Sequence, residues 1–217
     1  MPPRWRTTTA ATVSAFGVIV GAAGIEHGIG EVLQGDVAPR AVVIESWPES
    51  EVFRVLGGEP AMTIVPSLLV TGMLAIAASL VFLVCAVTLV ARRAIGPILI
   101  SLSIGMLLVG AGFGPPLLGL VLGATATRVR TPPSWIRTRL PAGVRAGLAR
   151  LWPWCFAAAL IAWLAVLPGI VLFDRLARVD DPALVVPVLT FTALGLLLAT
   201  ILSAFARDSR DTGDLHP

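Results

Sequence analysis

Residues 61–91 read AMTIVPSLLVTGMLAIAASLVFLVCAVTLVA and contain no charged side chain. A helix needs about 20 apolar residues to cross the hydrocarbon core of a bilayer, so this segment is long enough for a tilted or bent crossing. It ends at Arg92 and Arg93, as expected where a membrane helix meets water. Pro66 marks either a bend or the point where regular helix begins. The segment therefore predicts an α-helical membrane protein.

The composition of the whole chain favours the same class. Of 217 residues, 56% are hydrophobic and 13% are charged, about half the ~25% charged residues of a soluble domain. The net charge is +3, but the basic residues flank apolar runs, which argues against nucleic-acid binding. All sixteen are arginine, as in a GC-rich bacterial genome. Cys85 and Cys155 lie in apolar runs without metal-ligand spacing, so we expect buried thiols and no cofactor.

Six apolar segments predict an all-α integral membrane bundle. They cover residues 9–25, 61–91, 94–111, 115–127, 151–173 and 183–205. The alternative for the first is a signal peptide cleaved after about residue 23, because Gly21-Ala22-Ala23 resembles a cleavage site. The apolar pattern continues to Gly35, which favours an uncleaved helix.

The apolar run from 94 to 127 is interrupted by Gly112, Gly114, Pro115 and Pro116. It is either one long kinked helix or a hairpin of two short segments that turns at this Gly/Pro cluster. The hairpin places twelve of the sixteen arginines on one side of the membrane, as the positive-inside rule requires. We therefore predict the hairpin, a plasma-membrane location and cytoplasmic termini.

This topology divides the chain into four parts. Residues 1–127 form a front module with an acidic outer loop at 36–60, and residues 151–206 form a carboxyl-terminal helix pair. Between them lies a basic cytoplasmic loop from Arg128 to Arg150, predicted to be an amphipathic helix from Pro141 onward. It is expected to bind anionic lipid, with a cytoplasmic partner as the alternative. Residues 207–217 are expected to be a disordered tail.

The acidic outer loop contains a helix-start pattern. Ser46-Trp47-Pro48-Glu49 has the spacing of a capping box with proline in the first turn. Val52, Phe53 and Leu56 would then share one face, and Gly57-Gly58 would end the helix. The pattern predicts a short amphipathic helix on the outer membrane surface.

Glycines recur along one line of the first apolar segment. At 100° per residue, their spacings of four, three, four and seven form a narrow stripe that lets another helix approach closely. The stripe consists of Gly17, Gly21, Gly24, Gly28 and Gly35. A homo-oligomer or a partner membrane helix could therefore dock on it, unless these glycines only reflect the usual richness of membrane helices in glycine.

His27 and Glu31 lie one helical turn apart near this stripe, and are the strongest candidates for chemistry. Glu26 is expected to project from the opposite side. Ionisable groups in membrane helices mark functional sites, although a wetted helix end would also accommodate them. A metal would need a further ligand, for which Glu45, Glu49, Glu51 and Glu59 are the candidates; its identity stays open.

Three functions remain after the sequence is read. The first is a small transport or permeation protein with a proton- or cation-binding site at His27, Glu31 and Glu26. The second is a scaffold or accessory subunit that packs through the glycine stripe. The third is a metal-dependent membrane enzyme, which is least favoured because no catalytic set of residues is recognisable.

Overall fold

A computed structural model describes residues 7–50, 53, 57–177 and 182–211. Its described residues form seven helices and one two-stranded sheet. The helices are α1 (Thr8–Leu33), α2 (Leu68–Thr88), α3 (Ile95–Leu108), α4 (Gly114–Ala126), α5 (Ser134–Arg139), α6 (Ala142–Ala177) and α7 (Pro182–Asp211). The strands are β1 (Val43–Glu45) and β2 (Pro60–Met62).

Four of the described helices are long and apolar enough to cross a membrane. They are α1, α2 and the apolar parts of α6 and α7, at Ala142–Val166 and Pro187–Arg210. The helices α3 and α4 are shorter, with 14 and 13 residues. At 1.5 Å per residue each extends about 20 Å, less than the ~30 Å of hydrocarbon that a full crossing requires.

The run from 94 to 127 is two helices, separated at the Gly/Pro cluster. Gly110 and Gly112 adopt φ angles of 90° and 75°, in the left-handed region where glycine carries no Cβ penalty. Pro115 and Pro116 then occupy the first turn of α4, where a missing N–H costs no helical hydrogen bond.

The chain divides into two compact units. One comprises residues 14–124, and the other comprises residues 1–13 together with 125–217. The start of α1 therefore belongs with the second unit. The site described below lies within residues 14–124.

Within this first unit, α1 packs along α2 through the glycine stripe. A Cβ atom on Gly17, Gly21, Gly24 or Gly28 would lie closer than van der Waals contact to α2 residues, including Ala86, Leu83, Ser79 and Ile76. The close approach expected from the stripe is thus made by a helix of the same chain. Gly35 lies beyond the end of α1, with φ 83° and open space where a Cβ atom would sit. It meets α2 only through its carbonyl, which accepts a hydrogen bond from the backbone N–H of Leu69 at 3.0 Å.

The outer loop folds differently from the expectation. Residues 46–50 form bends and a turn and no helix, whereas Val52 and Leu56 lie outside the described residues. The loop instead forms the antiparallel pair of β1 and β2, with Ile44 opposite Ala61. Ile44, Ala61 and Leu68 form a small buried cluster. The central residue of each short strand is buried, but the sequences Val43–Glu45 and Pro60–Met62 have no alternation of apolar and polar residues that would predict a strand.

The second unit contains α5, α6, α7 and the start of α1. The expected amphipathic helix after Pro141 is continuous with the following apolar segment, in the 36-residue helix α6. Residues 207–211, expected to be disordered, continue α7 as helix, and the rest of the expected tail lies outside the described residues. The Asp208 carboxylate is buried and accepts hydrogen bonds from the backbone N–H groups of Thr8 and Thr9, each at 2.9 Å. It therefore caps the first turn of α1.

Candidate functional site

The carboxyl-terminal end of α1 carries three ionisable side chains, Glu26, His27 and Glu31. Glu31 is fully buried and His27 is 8% exposed. Burial of such groups is costly unless other polar groups or ions compensate. The surroundings of these three residues therefore decide what the site can do.

The β-hairpin brings two further polar residues to this end of α1. The backbone N–H of Ser46 donates to the carbonyl of Glu59 at 3.1 Å, which continues the pairing of β1 and β2. The side-chain amide of Gln34 donates to the carbonyls of Glu45 and Ser46, each at 3.0 Å, and ties the hairpin to α1. A single local structure thus delivers both the Ser46 hydroxyl and the Glu59 carboxylate.

Glu59 completes a cluster with Glu26 and His27, called here the Glu–His–Glu cluster. One atom from each side chain lies within 4.8 Å of the others. The Nδ1 atom of His27 is 3.1 Å from Oε2 of Glu26, and its Nε2 atom is 3.5 Å from Oε2 of Glu59. Glu26 therefore does not occupy the separate environment expected for it, because its side chain reaches around the helix to the imidazole.

The backbone around His27 determines its protonation pattern. Nδ1 of His27 is 3.0 Å from the carbonyl oxygen of Ala23. A carbonyl oxygen only accepts hydrogen bonds, so this contact assigns the ring proton to Nδ1. In the neutral imidazole, Nε2 then presents its lone pair towards Glu59.

Two carboxylate oxygens of the cluster lack hydrogen bonds. Oε1 of Glu26 and Oε2 of Glu59 are buried and have no hydrogen-bond partner among the described residues. Burial raises the pKa of Glu59 to about 8; the His27 charge opposes this rise and the adjacent Glu26 adds to it. The lone pair of Nε2 and an unsatisfied carboxylate oxygen thus face each other, an arrangement that a shared proton or cation stabilises.

The backbone at Glu59 is also unusual. Its φ angle is 54°, and it is the only residue other than glycine with a positive φ in the described part of the chain. This left-handed conformation is uncommon for a residue with a Cβ atom and costs about 1–3 kcal/mol. Strain of this kind concentrates at functional sites, where the fold holds a side chain in a required position.

Glu31 lies beside the cluster but has its own partners. Its Oε1 atom accepts a hydrogen bond from the Ser46 hydroxyl at 3.2 Å, and its Oε2 atom has no hydrogen-bond partner among the described residues. Ser46, expected to cap a helix, instead donates a hydrogen bond to this carboxylate. The ion pairs of His27 are thus with Glu26 and Glu59, whereas the spacing in the sequence suggested Glu31 as its partner.

The turn between α3 and α4 covers both groups. A Cβ atom on Gly110 would overlap the carboxylate oxygens of Glu31, and one on Gly112 would overlap the imidazole of His27 at Nε2. The Gly/Pro turn and the Glu/His site, which the sequence presents as separate features, are therefore in direct contact. The spacing of Gly110 and Gly112 was visible in the sequence, but nothing local indicated what they face.

A cleft of about 920 Å³ borders the site. Its walls include Gln34, Arg40, Glu45, Ser46 and Trp47. Because Ser46 is both a wall residue and the hydrogen-bond donor to Glu31, the cleft reaches to within one side chain of the buried carboxylate. Glu45 and Glu49 also line this cleft and are not part of the cluster, and Glu51 lies outside the described residues.

The described residues form a helical bundle with four helices long and apolar enough to cross a membrane, and an acidic and imidazole cluster lies at one end of one of them. No protein-family model, curated protein or solved structure matches the chain.

Proposed function

We propose that this protein is a small transport or permeation protein with a proton- or cation-binding site formed by Glu26, His27, Glu59 and Glu31. The observation that carries the proposal is the pair of facing acceptors, Nε2 of His27 and Oε2 of Glu59, at 3.5 Å. A cation between them stabilises both groups. The location of the cluster at the end of a candidate membrane helix favours cation passage over soluble chemistry.

The adjacent cleft supplies an entry path. It is lined by Glu45 and Glu49 as well as by Ser46, and carboxylates at an entrance raise the local concentration of cations. From the cleft, a proton or cation reaches Glu31 past the Ser46 hydroxyl. Glu31 then serves as the buried relay, and the Glu–His–Glu cluster serves as the binding site.

The proposal is tested by flux measurements on the full chain in proteoliposomes. Proton and monovalent-cation fluxes are followed with fluorescent dyes in buffer containing a chelator. Glu31→Gln should abolish flux, whereas Asp36→Asn, the same loss of charge at an exposed carboxylate that does not line the cleft, should retain it. Equal flux in both variants, with both proteins correctly reconstituted, would refute the role of Glu31.

The orientation in the membrane is part of the proposal. Cytoplasmic termini in the plasma membrane put the cluster and the cleft outside and the basic segment inside, as the arginine distribution favours. Single cysteines at Phe113 and Ser134, in a chain lacking Cys85 and Cys155, are labelled in intact cells with an impermeant reagent. Labelling is expected at Phe113 only; labelling at Ser134 would reverse this part of the topology.

The basic segment is proposed to bind anionic lipid. Arg137 and Arg139 lie exposed on α5, next to the partly exposed ring of Trp135. Arginines beside an interfacial tryptophan are typical of headgroup contact. Phosphatidylglycerol should therefore stabilise the detergent-solubilised protein more than phosphatidylcholine does, and Arg137→Gln with Arg139→Gln should remove the difference.

A further inference from the structure

The donor atoms of the Glu–His–Glu cluster are one imidazole nitrogen and carboxylate oxygens from two side chains. Magnesium and calcium prefer sites made only of oxygen, whereas an imidazole ligand suits zinc and its neighbours in the first transition row. The composition of the cluster therefore discriminates among divalent cations. A proton, by contrast, would need only one of the two carboxylates.

The separation of the facing atoms also distinguishes a metal from a hydrogen bond. Nε2 of His27 and Oε2 of Glu59 are 3.5 Å apart, longer than the ~2.7–3.2 Å of a good hydrogen bond. Two ligands of a tetrahedral zinc ion with bonds of about 2.0–2.1 Å lie about 3.4 Å apart. The observed separation thus fits two ligands of one metal ion better than a shared proton.

The surroundings of His27 resemble the outer shell of a metal site. A metal-bound histidine usually donates its second ring N–H to a carbonyl or a carboxylate, which fixes the ring and its tautomer. Nδ1 of His27 has such a partner in the carbonyl of Ala23 at 3.0 Å, and Oε1 of Glu26, which has no hydrogen-bond partner among the described residues, is left to act as a ligand atom. Nε2 is thereby oriented towards Glu59 as a ligand atom.

Glycine at position 112 is required by the position of the imidazole. The backbone of Gly112 lies so close to His27 that a Cβ atom there would overlap Nε2, the proposed ligand atom. The residue whose carboxylate lies 3.5 Å from Nε2 is Glu59, which has the strained backbone. Two features of the fold, far apart in the sequence, therefore fix the surroundings of Nε2.

We propose that Glu26, His27 and Glu59 bind one divalent transition-metal ion of the zinc class. This inference rests on the cation site of the proposed function and specifies its ligand. Three protein ligands leave at least one coordination position for water or an exchangeable ligand, as in zinc sites that are not purely structural. Glu31 is the nearby acid one helical turn away and is not assigned as a ligand.

The test uses the full chain in detergent, stripped with a chelator and titrated with Co²⁺ alone, whose visible absorption reports coordination. Zn²⁺ is then added as a competitor. The wild-type protein and Asp36→Asn, which removes an exposed carboxylate outside the cleft, should bind one Co²⁺ ion that Zn²⁺ displaces. His27→Gln and Glu59→Gln should each weaken Co²⁺ binding by at least tenfold. Binding by Glu59→Gln with wild-type affinity would overturn the proposed ligand set.

A second measurement covers the case in which these variants fail to fold. The chain has two histidines, His27 and His216, so His216→Gln leaves a single imidazole. Bound Co²⁺ should strongly shift the magnetic-resonance signals of that ring in the otherwise unaltered protein. Unshifted signals in the presence of saturating Co²⁺ would overturn the proposal without any change to the cluster.

These readouts are separate from flux. If Co²⁺ does not bind but Glu31→Gln abolishes proton flux, the metal inference fails and the proposed function stands. If Co²⁺ binds through His27 and flux is absent or insensitive to Glu31, transport fails and the metal site stands.

Discussion

Replacement of Gly112 by alanine tests the link between the α3–α4 turn and the site. At this position φ is 75°, so any residue with a Cβ atom is strained by about 1–3 kcal/mol. Gly35 has nearly the same backbone conformation, with φ 83°, but open space around it. Gly35→Ala is therefore a matched control that carries the backbone strain without the contact.

The two substitutions differ in what the new methyl group meets. At Gly112 it would lie 2.6 Å from Cδ2 and 2.8 Å from Cε1 of His27, where 3.4 Å is the start of ordinary contact. The ring must therefore withdraw by at least about 0.8 Å, and further at Nε2, its nearest atom, which exceeds the ~0.2 Å tolerance of metal–ligand distances. Overpacking adds about 1–3 kcal/mol to the strain.

We expect Gly112→Ala to weaken Co²⁺ binding by about 10–100-fold, the effect of disturbing the orientation of a ligand, and Gly35→Ala to leave it unchanged. The free energy of unfolding should also fall further in Gly112→Ala than in the control. Affinity is measured by titration of the detergent-solubilised proteins, and stability by thermal unfolding without metal. Equal affinities in the two folded variants would refute the claim that this turn shapes the site.

Three other predictions concern separate features. Because Glu59 has a pKa of about 8 and must lose its proton to bind a metal, Co²⁺ affinity should rise about tenfold per pH unit up to pH 8 and then level off. Calorimetry in buffers of different ionisation enthalpy should detect the released proton. A Co²⁺ affinity that stays constant between pH 6 and 8 would contradict this prediction. Gly28→Ala would place its methyl group 2.7 Å from a backbone oxygen of α2 and should lower the unfolding free energy by about 1–3 kcal/mol. Gly105→Ala, in open space on α3, should instead raise the unfolding free energy by up to about 1 kcal/mol. Equal stability of the two variants in thermal unfolding would contradict the packing of α1 on α2. Asp208→Asn should weaken the hydrogen bonds that cap α1 and lower the free energy of unfolding by about 1 kcal/mol. Hydrogen exchange at the first turn of α1 should become faster, and unchanged exchange would show that the cap is dispensable.

The membrane class of the chain follows from the sequence because it depends on local properties. A run of about 20 apolar residues shows its membrane-spanning capacity without reference to the rest of the fold. The break in the run from 94 to 127 is local as well, since glycine and proline act on their own backbone angles. The helix boundaries at α3 and α4 therefore lie within a few residues of the expected ones.

The structure of the loop at residues 36–60 could not be predicted from local sequence patterns. Its capping-box pattern predicted a helix, but Ser46 donates both to Glu31 through its hydroxyl and to Glu59 through its backbone N–H. Sheet pairing and a buried carboxylate compete with helix formation for the same groups, and the competing partners are distant in sequence. A weak local preference was overridden by tertiary contacts.

The sequence by itself predicted apolar helices long enough to cross a membrane and singled out His27, Glu31 and Glu26 as candidate site residues, because hydropathy and unusual charge are properties of single segments. Only the tertiary structure decided that Glu59 is the partner of His27 and that Gly112 packs against the same imidazole. These contacts join α1 to residues more than thirty positions away. Their geometry depends on the pairing of β1 with β2 and on the turn angles at α4, which no periodicity within α1 encodes.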